Sequence, residues 1–145
     1  MRVKGKILAV DDDPNNITIV EELLEDNYDL KTAASGQEAL DIARDFRPDV
    51  VLLDIMMPGM SGYEVCRKLR ERYTPQQTKI IMVSARAMVS ELNEGYDAGA
   101  DDYITKPFEG DEFLEKVRLH LLPKNTQEAD QAQDDFILTT SEAIL

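Results

Sequence analysis

Asp11, Asp12 and Asp13 stand in a row directly after the apolar run Ile7-Leu8-Ala9-Val10, and Asp54 stands directly after Val50-Val51-Leu52-Leu53. Ser84 closes a third apolar run, and Lys106, followed by Pro107, stands after the short run Asp102-Tyr103-Ile104-Thr105. In parallel α/β sheets ligands bind beyond the carboxyl ends of the strands. If these runs are such strands, three or four carboxylates, one hydroxyl and one lysine converge on one edge. Clustered carboxylates repel, so either some of them hold protons or a cation sits among them. Oxygen donors without His or Cys suit a hard ion, Mg²⁺ or alternatively Mn²⁺. A lysine facing that ion supplies a second positive charge. Together they form a cradle for a phosphoryl group, whose transfer depends mainly on positioning and on neutralising oxygen charge. A carboxylate can itself accept the group covalently, and Ser84 can hydrogen-bond to an added phosphoryl oxygen.

The elements that must hold these residues alternate along the chain. Short apolar runs at 6–10, 50–53 and 79–83 read as buried strands, with more polar ones at 28–33 and 102–105. The run at 50–53 is apolar at every position, as expected of a strand covered on both faces. Between the strands, helical spacing predicts helices over 14–26, 35–44, 61–72, 88–98 and 109–122. Asp13 and Pro14 suit a helix start, and Ser35 with Glu38 three residues on is a capping box. Five strands alternating with five helices predict an α/β fold, an open parallel sheet wrapped on both faces.

Composition narrows the function. The 145 residues hold 16 Lys and Arg against 29 Asp and Glu, for a net charge of −13. That argues against nonspecific nucleic-acid binding, which needs a basic footprint, and against an anionic membrane surface as partner. Cys66 is the single cysteine, so neither an intramolecular disulfide nor a cysteine-rich zinc site can form. A reducing, cytoplasmic setting is expected. No apolar stretch approaches a membrane span or a signal-peptide core. Residues 1–122 are expected to be one domain. Residues 123–145 read as an acidic polar linker or C-terminal tail, or as the start of a further effector region, with Phe136-Ile137-Leu138 and Ile144-Leu145 lacking obvious packing partners.

Four motifs in this order resemble the receiver domain of two-component response regulators, the CheY-like family. They are Ile7 to Pro14, Asp49 to Gly62, Val83-Ser84-Ala85 and Gly99 to Phe108. The resemblance covers roughly residues 5–122. It implies a flavodoxin-like sheet of strand order 2-1-3-4-5. It further implies that Asp54 is the phosphoacceptor and that Asp12, Asp54 and the Met56 carbonyl ligate Mg²⁺, with Asp11 acting through water. Lys106 is the implied counter-charge to the phosphate, Ser84 the switch hydroxyl and Tyr103 the aromatic switch that turns inward. The Lys106–Pro107 peptide is implied to be cis. The expected function is a switch rather than an enzyme acting on other molecules. A sensor histidine kinase, a phosphotransfer protein or a small acyl phosphate donates to Asp54. The face made by the fourth helix, fifth strand and fifth helix then meets an effector or a second copy of the chain, with no direct nucleic-acid or membrane contact.

Two flanking residues, Met56 and Arg86, are expected to slow loss of the phosphoryl group by obstructing or misorienting water. Asp102, Glu112 and Lys116 match the charged dimer face of DNA-binding members of the OmpR subfamily, but Leu92 stands where that pattern has a lysine. Cys66 is expected in the core, His120 near a helix end, and Asp101 in solvent or as a cap. A rival reading takes Asp11-x-Asp13 as the nucleophile and acid/base of a haloacid-dehalogenase-type phosphohydrolase. It leaves Asp54 without a role.

Overall fold

The computed structural model describes residues 4–85 and 88–122. Five strands, β1 (Lys6–Val10), β2 (Asp29–Ala33), β3 (Val50–Asp54), β4 (Lys79–Ser84) and β5 (Asp102–Thr105), alternate with five helices. The helices are α1 (Pro14–Leu24), α2 (Gly36–Phe46), α3 (Gly62–Arg72), α4 (Val89–Ala98) and α5 (Gly110–His120). All four strand pairings are parallel and the order is β2-β1-β3-β4-β5. The expected fold and strand order are therefore observed.

Alternation along each strand builds two cores. Leu8, Val10, Val51, Leu53, Ile80 and Met82 face α2, α3 and α4, whose Leu40, Phe46, Val65, Leu69 and Ala98 close that side. Ile7, Ala9, Val50, Leu52, Ile81, Val83 and Ile104 face α1 and α5, which contribute Val20, Leu24, Phe113 and Val117. Each Leu, Ile or Phe so buried contributes about 1.5–3 kcal/mol. β2 lies at the edge of the sheet with alternating exposure, which explains its more polar sequence. Cys66 is fully buried, as expected, and its Sγ sits 3.4 Å from the Ala98 carbonyl oxygen.

Local signals set the helix ends, with small displacements. The Asp13 carboxylate accepts the Asn15 N–H at 2.9 Å and caps α1. Ser35 caps α2, but Glu38 reaches back to the Ala34 N–H rather than to that of Ser35. α1 ends at Leu24 rather than 26, because Asn27 and Tyr28 turn back to the Leu24 carbonyl. α2 continues to Phe46, two residues beyond its expected end, and stops at Arg47, which adopts the left-handed conformation with φ 51°. α5 ends at His120.

Asp101 departs from its expected place in solvent or at a cap. Its Oδ2 accepts the Ile80 N–H at 2.8 Å and Arg70 Nη2 at 2.6 Å. The same guanidinium donates to the carbonyls of Gly99 and Thr78, each at 2.7 Å. One side chain from α3 thus ties the starts of β4 and β5 together. The charges face unpaired backbone groups at strand ends, so packing and not solvation decides their position.

Candidate functional site

The carboxyl ends of β1, β3, β4 and β5 share one edge of the sheet. Asp11, at the end of β1, is held by its N–H to the Ala33 carbonyl at 3.1 Å, and its Oδ1 accepts the Asp13 N–H at 2.9 Å. Asp54 is the last residue of the central strand and only 6% exposed. Lys106 follows β5, where its N–H donates to the Ser84 carbonyl at 2.7 Å and its bond to Pro107 is cis. Its ammonium lies 3.0 Å from Asp11 Oδ2 and 3.2 Å from Asp54 Oδ1. Asp12 is exposed beside them, and oxygen atoms of Asp11, Asp12 and Asp54 lie within 4.8 Å of one another. Ser84 is buried at the end of β4.

Electrostatics in this cluster are unbalanced. Burial, followed by repulsion from Asp11, pushes the Asp54 carboxyl up from 3.8 to about 6, and the Lys106 ion pair does not offset it. Burial acts to lower Lys106, but its hydrogen bond to Asp11 and the charge of Asp54 outweigh it and raise the ammonium above its ordinary value. One lysine facing three carboxylates leaves excess negative charge among oxygen donors. That donor set and charge fit a hard divalent cation. Asp13 is no part of the cluster, because its carboxylate caps α1.

The loop after β3 passes close beneath α3. Gly62 donates its N–H to the Ile55 carbonyl at 2.9 Å, and a Cβ there would overlap the Asp54 carbonyl and Ile55 Cα. This contact fixes the turn that carries Met56, two residues after Asp54 and 74% exposed. Arg86 lies outside the described residues.

Residues 7–118 match the response regulator receiver domain. The chain belongs to the response regulator receiver family. It is similar to the response regulator MprA of Mycobacterium ulcerans, 42% identical over 141 residues that cover 97% of this chain and 60% of MprA. It is also similar to the response regulator ArlR of Staphylococcus aureus, 40% identical over 114 residues, 78% of this chain and 51% of ArlR. The chain thus spans no more than about 60% of the length of these curated relatives. Among solved structures, the chemotaxis protein CheY4 of Vibrio cholerae aligns at TM-score 0.77 and 33% identity, covering 82% of this chain and 100% of CheY4. The BeF3-activated receiver domain of DrrB aligns at TM-score 0.75 and 36% identity, covering 82% of this chain and 98% of that one.

In this receiver Tyr103 points inward. The ring is buried, packs edge-on to Tyr96 with centroids 5.6 Å apart, and donates its hydroxyl to the Glu91 carbonyl at 2.5 Å. Tyr63 on α3 donates to that same carbonyl at 3.3 Å. Gly95 makes the space, since a Cβ there would overlap the Tyr103 hydroxyl. Burial raises the Tyr103 phenol above its ordinary value and keeps it a donor. Sequence reading missed Tyr63, Glu91 and Gly95. A glycine inside a helix was the one available signal.

The face of α4, β5 and α5 carries internal pairs. Lys116 Nζ reaches Asp102 Oδ1 at 3.1 Å and the Tyr103 carbonyl at 2.8 Å, and His120 Nε2 lies 3.0 Å from Asp102 Oδ2. His120 is therefore a partner of β5, beyond its expected place at a helix end. Leu92 packs against the core. No helix among the described residues is long and apolar enough to cross a membrane.

Proposed function

We infer that Asp54 accepts a phosphoryl group and that the receiver signals through the change this makes. The observation that carries the reading is a nearly buried carboxylate at the end of the central strand, 3.2 Å from a lysine and grouped with two further aspartates. An Asp54 oxygen attacks phosphorus of a phosphohistidine on a sensor kinase or phosphotransfer protein, or of a small acyl phosphate. The new bond is O–P, and the bond broken is P–N or the acyl P–O. The imidazole or carboxylate leaves with the electron pair. Asp54 acts in its ionised form, which a neighbouring positive charge favours. Lys106, already hydrogen-bonded to Asp54, offsets charge on the phosphoryl oxygens.

Asp12, Asp54 and the Met56 carbonyl would hold Mg²⁺ directly and Asp11 through water, with Mn²⁺ as the alternative. When bound, the cation supplies charge neutralisation to the carboxylates and to the transferring oxygens. Ser84 hydrogen-bonds the added group, and its movement favours the inward seat of Tyr103. The phosphoryl group biases the α4–β5–α5 face only as far as it interacts differently with the two states. That face meets an effector or a second copy of the chain. Asp102 and Lys116 are already joined to each other, so a dimer built on the OmpR-type charged pattern would have to reuse them.

The test is intact mass after incubation with Mg²⁺ and acetyl phosphate. A phosphoryl adduct on wild type that is absent from Asp54→Asn supports the reading. An adduct retained in Asp54→Asn overturns it. The exposed Met56 thioether and Arg86 slow hydrolysis in this reading. Met56→Asn with Arg86→Glu is expected to shorten the phosphoryl lifetime, and an unchanged decay of the adduct removes that role.

A further inference from the structure

The end of the sheet opposite the acidic cluster holds a groove of about 1550 Å³. Lys4, Lys6, Arg44, Arg47, Arg72 and Arg118 line it, with Asp49 as its acid. This is the reverse of the chain as a whole, where 29 acids outnumber 16 bases. Asp49 is engaged with the backbone, accepting the Lys6 N–H at 2.9 Å. Arg44 and Arg118 pair with Asp41 and Glu115, acids three residues away on their own helices. Exposed pairs of this kind hold their partners weakly. Lys4, Lys6, Arg47 and Arg72 have no ion pair to an acid among the described residues. Arg47 occupies the left-handed cap position of α2, where glycine is the usual residue. Backbone geometry therefore does not call for arginine there.

Tyr28, Tyr73, Leu121 and Leu122 add apolar surface to the same groove. Leu122 is also the residue from which residues 123–145 continue. In that sequence Glu128, Asp130, Asp134 and Asp135 fall within eight residues that hold no Lys or Arg, followed by the apolar Phe136-Ile137-Leu138. Glu128 is six residues along the chain from Leu122, a reach of up to about 20 Å. A segment tethered at the rim of its own site meets it at an effective concentration of order millimolar. Weak charge contacts suffice at that concentration.

We propose that this basic groove is the docking site of the chain's own acidic segment, residues 128–138. The acids face the cations, and Phe136 to Leu138 meet the tyrosines and leucines. The segment leading out of the receiver is thereby held at the end of the sheet remote from Asp54.

The test uses the full chain with a nitroxide attached through Ala132→Cys, a change that leaves every charge in place. Cys66 does not compete for the label, being fully buried. At low salt the label is expected to reduce the amide signals of Lys6, Arg47, Tyr73 and Gln77 selectively. The loss should vanish in the Arg47→Glu, Arg72→Glu double variant. It should vanish also in about 1 M NaCl, where the screening length falls to about 3 Å. Loss spread evenly over the surface, or centred on the acidic edge, overturns the proposal. So does loss that survives both charge reversal and salt. A mixture of nitroxide-bearing chain with isotope-labelled, nitroxide-free chain identifies the occupant. Groove signals reduced in that mixture would assign the groove to a second copy and overturn docking within one chain. If the double variant loses its dispersed amide spectrum, the salt arm decides alone.

Discussion

Replacing Asp54 by Asn should stabilise the receiver when divalent cations are chelated. The carboxyl is pushed from 3.8 up to about 6 by burial and then by Asp11. Because the folded-state value is raised, the penalty is absent below about pH 3.8, grows between 3.8 and 6, and is complete above 6. Each pH unit of that gap is worth about 1.4 kcal/mol, so ionised Asp54 costs the fold about 3 kcal/mol at pH 7. Asn resembles the protonated carboxyl in shape and carries no charge, and Lys106 keeps its contact with Asp11 at 3.0 Å. The expected gain corresponds to a rise in Tm of about 10 °C for a domain of this size. Urea unfolding in EDTA at pH 7 and pH 4.5 measures it directly. The gain should shrink strongly at the lower pH. Mg²⁺ should narrow it at pH 7, because wild type binds the cation better and gains stability by mass action. A variant that is no more stable than wild type at pH 7 in EDTA would refute the reasoning, as would a gain of equal size at both pH values.

Three further outcomes follow from contacts away from the acidic edge. Gly95→Ala places a methyl on the Tyr103 hydroxyl, so nuclear Overhauser contacts from the Tyr103 ring to Tyr96 should disappear as the ring swings outward. Their persistence would show that α4 shifts instead. Arg70→Met removes the cation from a mostly buried pair that also serves the Gly99 and Thr78 carbonyls, and should cost about 3 kcal/mol in urea unfolding; a loss below about 1 kcal/mol would mean that water replaces the clamp. At Asp102, burial favours the neutral form, but hydrogen bonds from His120, the Tyr103 N–H and Lys116 outweigh it and hold the carboxyl below 3.8. A depressed value contributes stability that is present above pH 3.8 and is lost as pH falls through the folded-state value, so Asp102→Asn should destabilise at pH 7 and progressively less in acid, and a pH-independent loss would assign the effect to packing.

The fold was legible because its signals are local. A strand apolar at every position, an Asp-Pro helix start and a Ser-x-x-Glu cap each lie within a few residues of the element they define. Helix ends moved by about two residues where turns competed for the same carbonyls, as at Leu24. The candidate site was legible for a related reason. In a parallel sheet every strand ends at the same edge, so naming the residues at or just past the ends of β1, β3, β4 and β5 names the cluster. What the pattern could not rank was charge at longer range. Asp101 looks like any surface acid until Arg70, 31 residues away, reaches it. His120 looks like a helix-end charge until α5 packs beside β5 and brings it to Asp102.

The amino-acid sequence alone determined the class of this protein, the order of its elements and the carboxylates, hydroxyl and lysine at one edge of the sheet. Hydrophobic period and chain order carry that information without reference to distant contacts. Tertiary structure alone decided how those groups meet. Lys106 is 95 residues from Asp11 and 52 from Asp54, yet bonds both. It also decided that Tyr103 sits inward against a glycine of α4, and that cations scattered from Lys4 to Arg118 line one groove. Such placements depend on the twist and spacing of packed layers, which bring residues together by geometry and not by their separation along the chain.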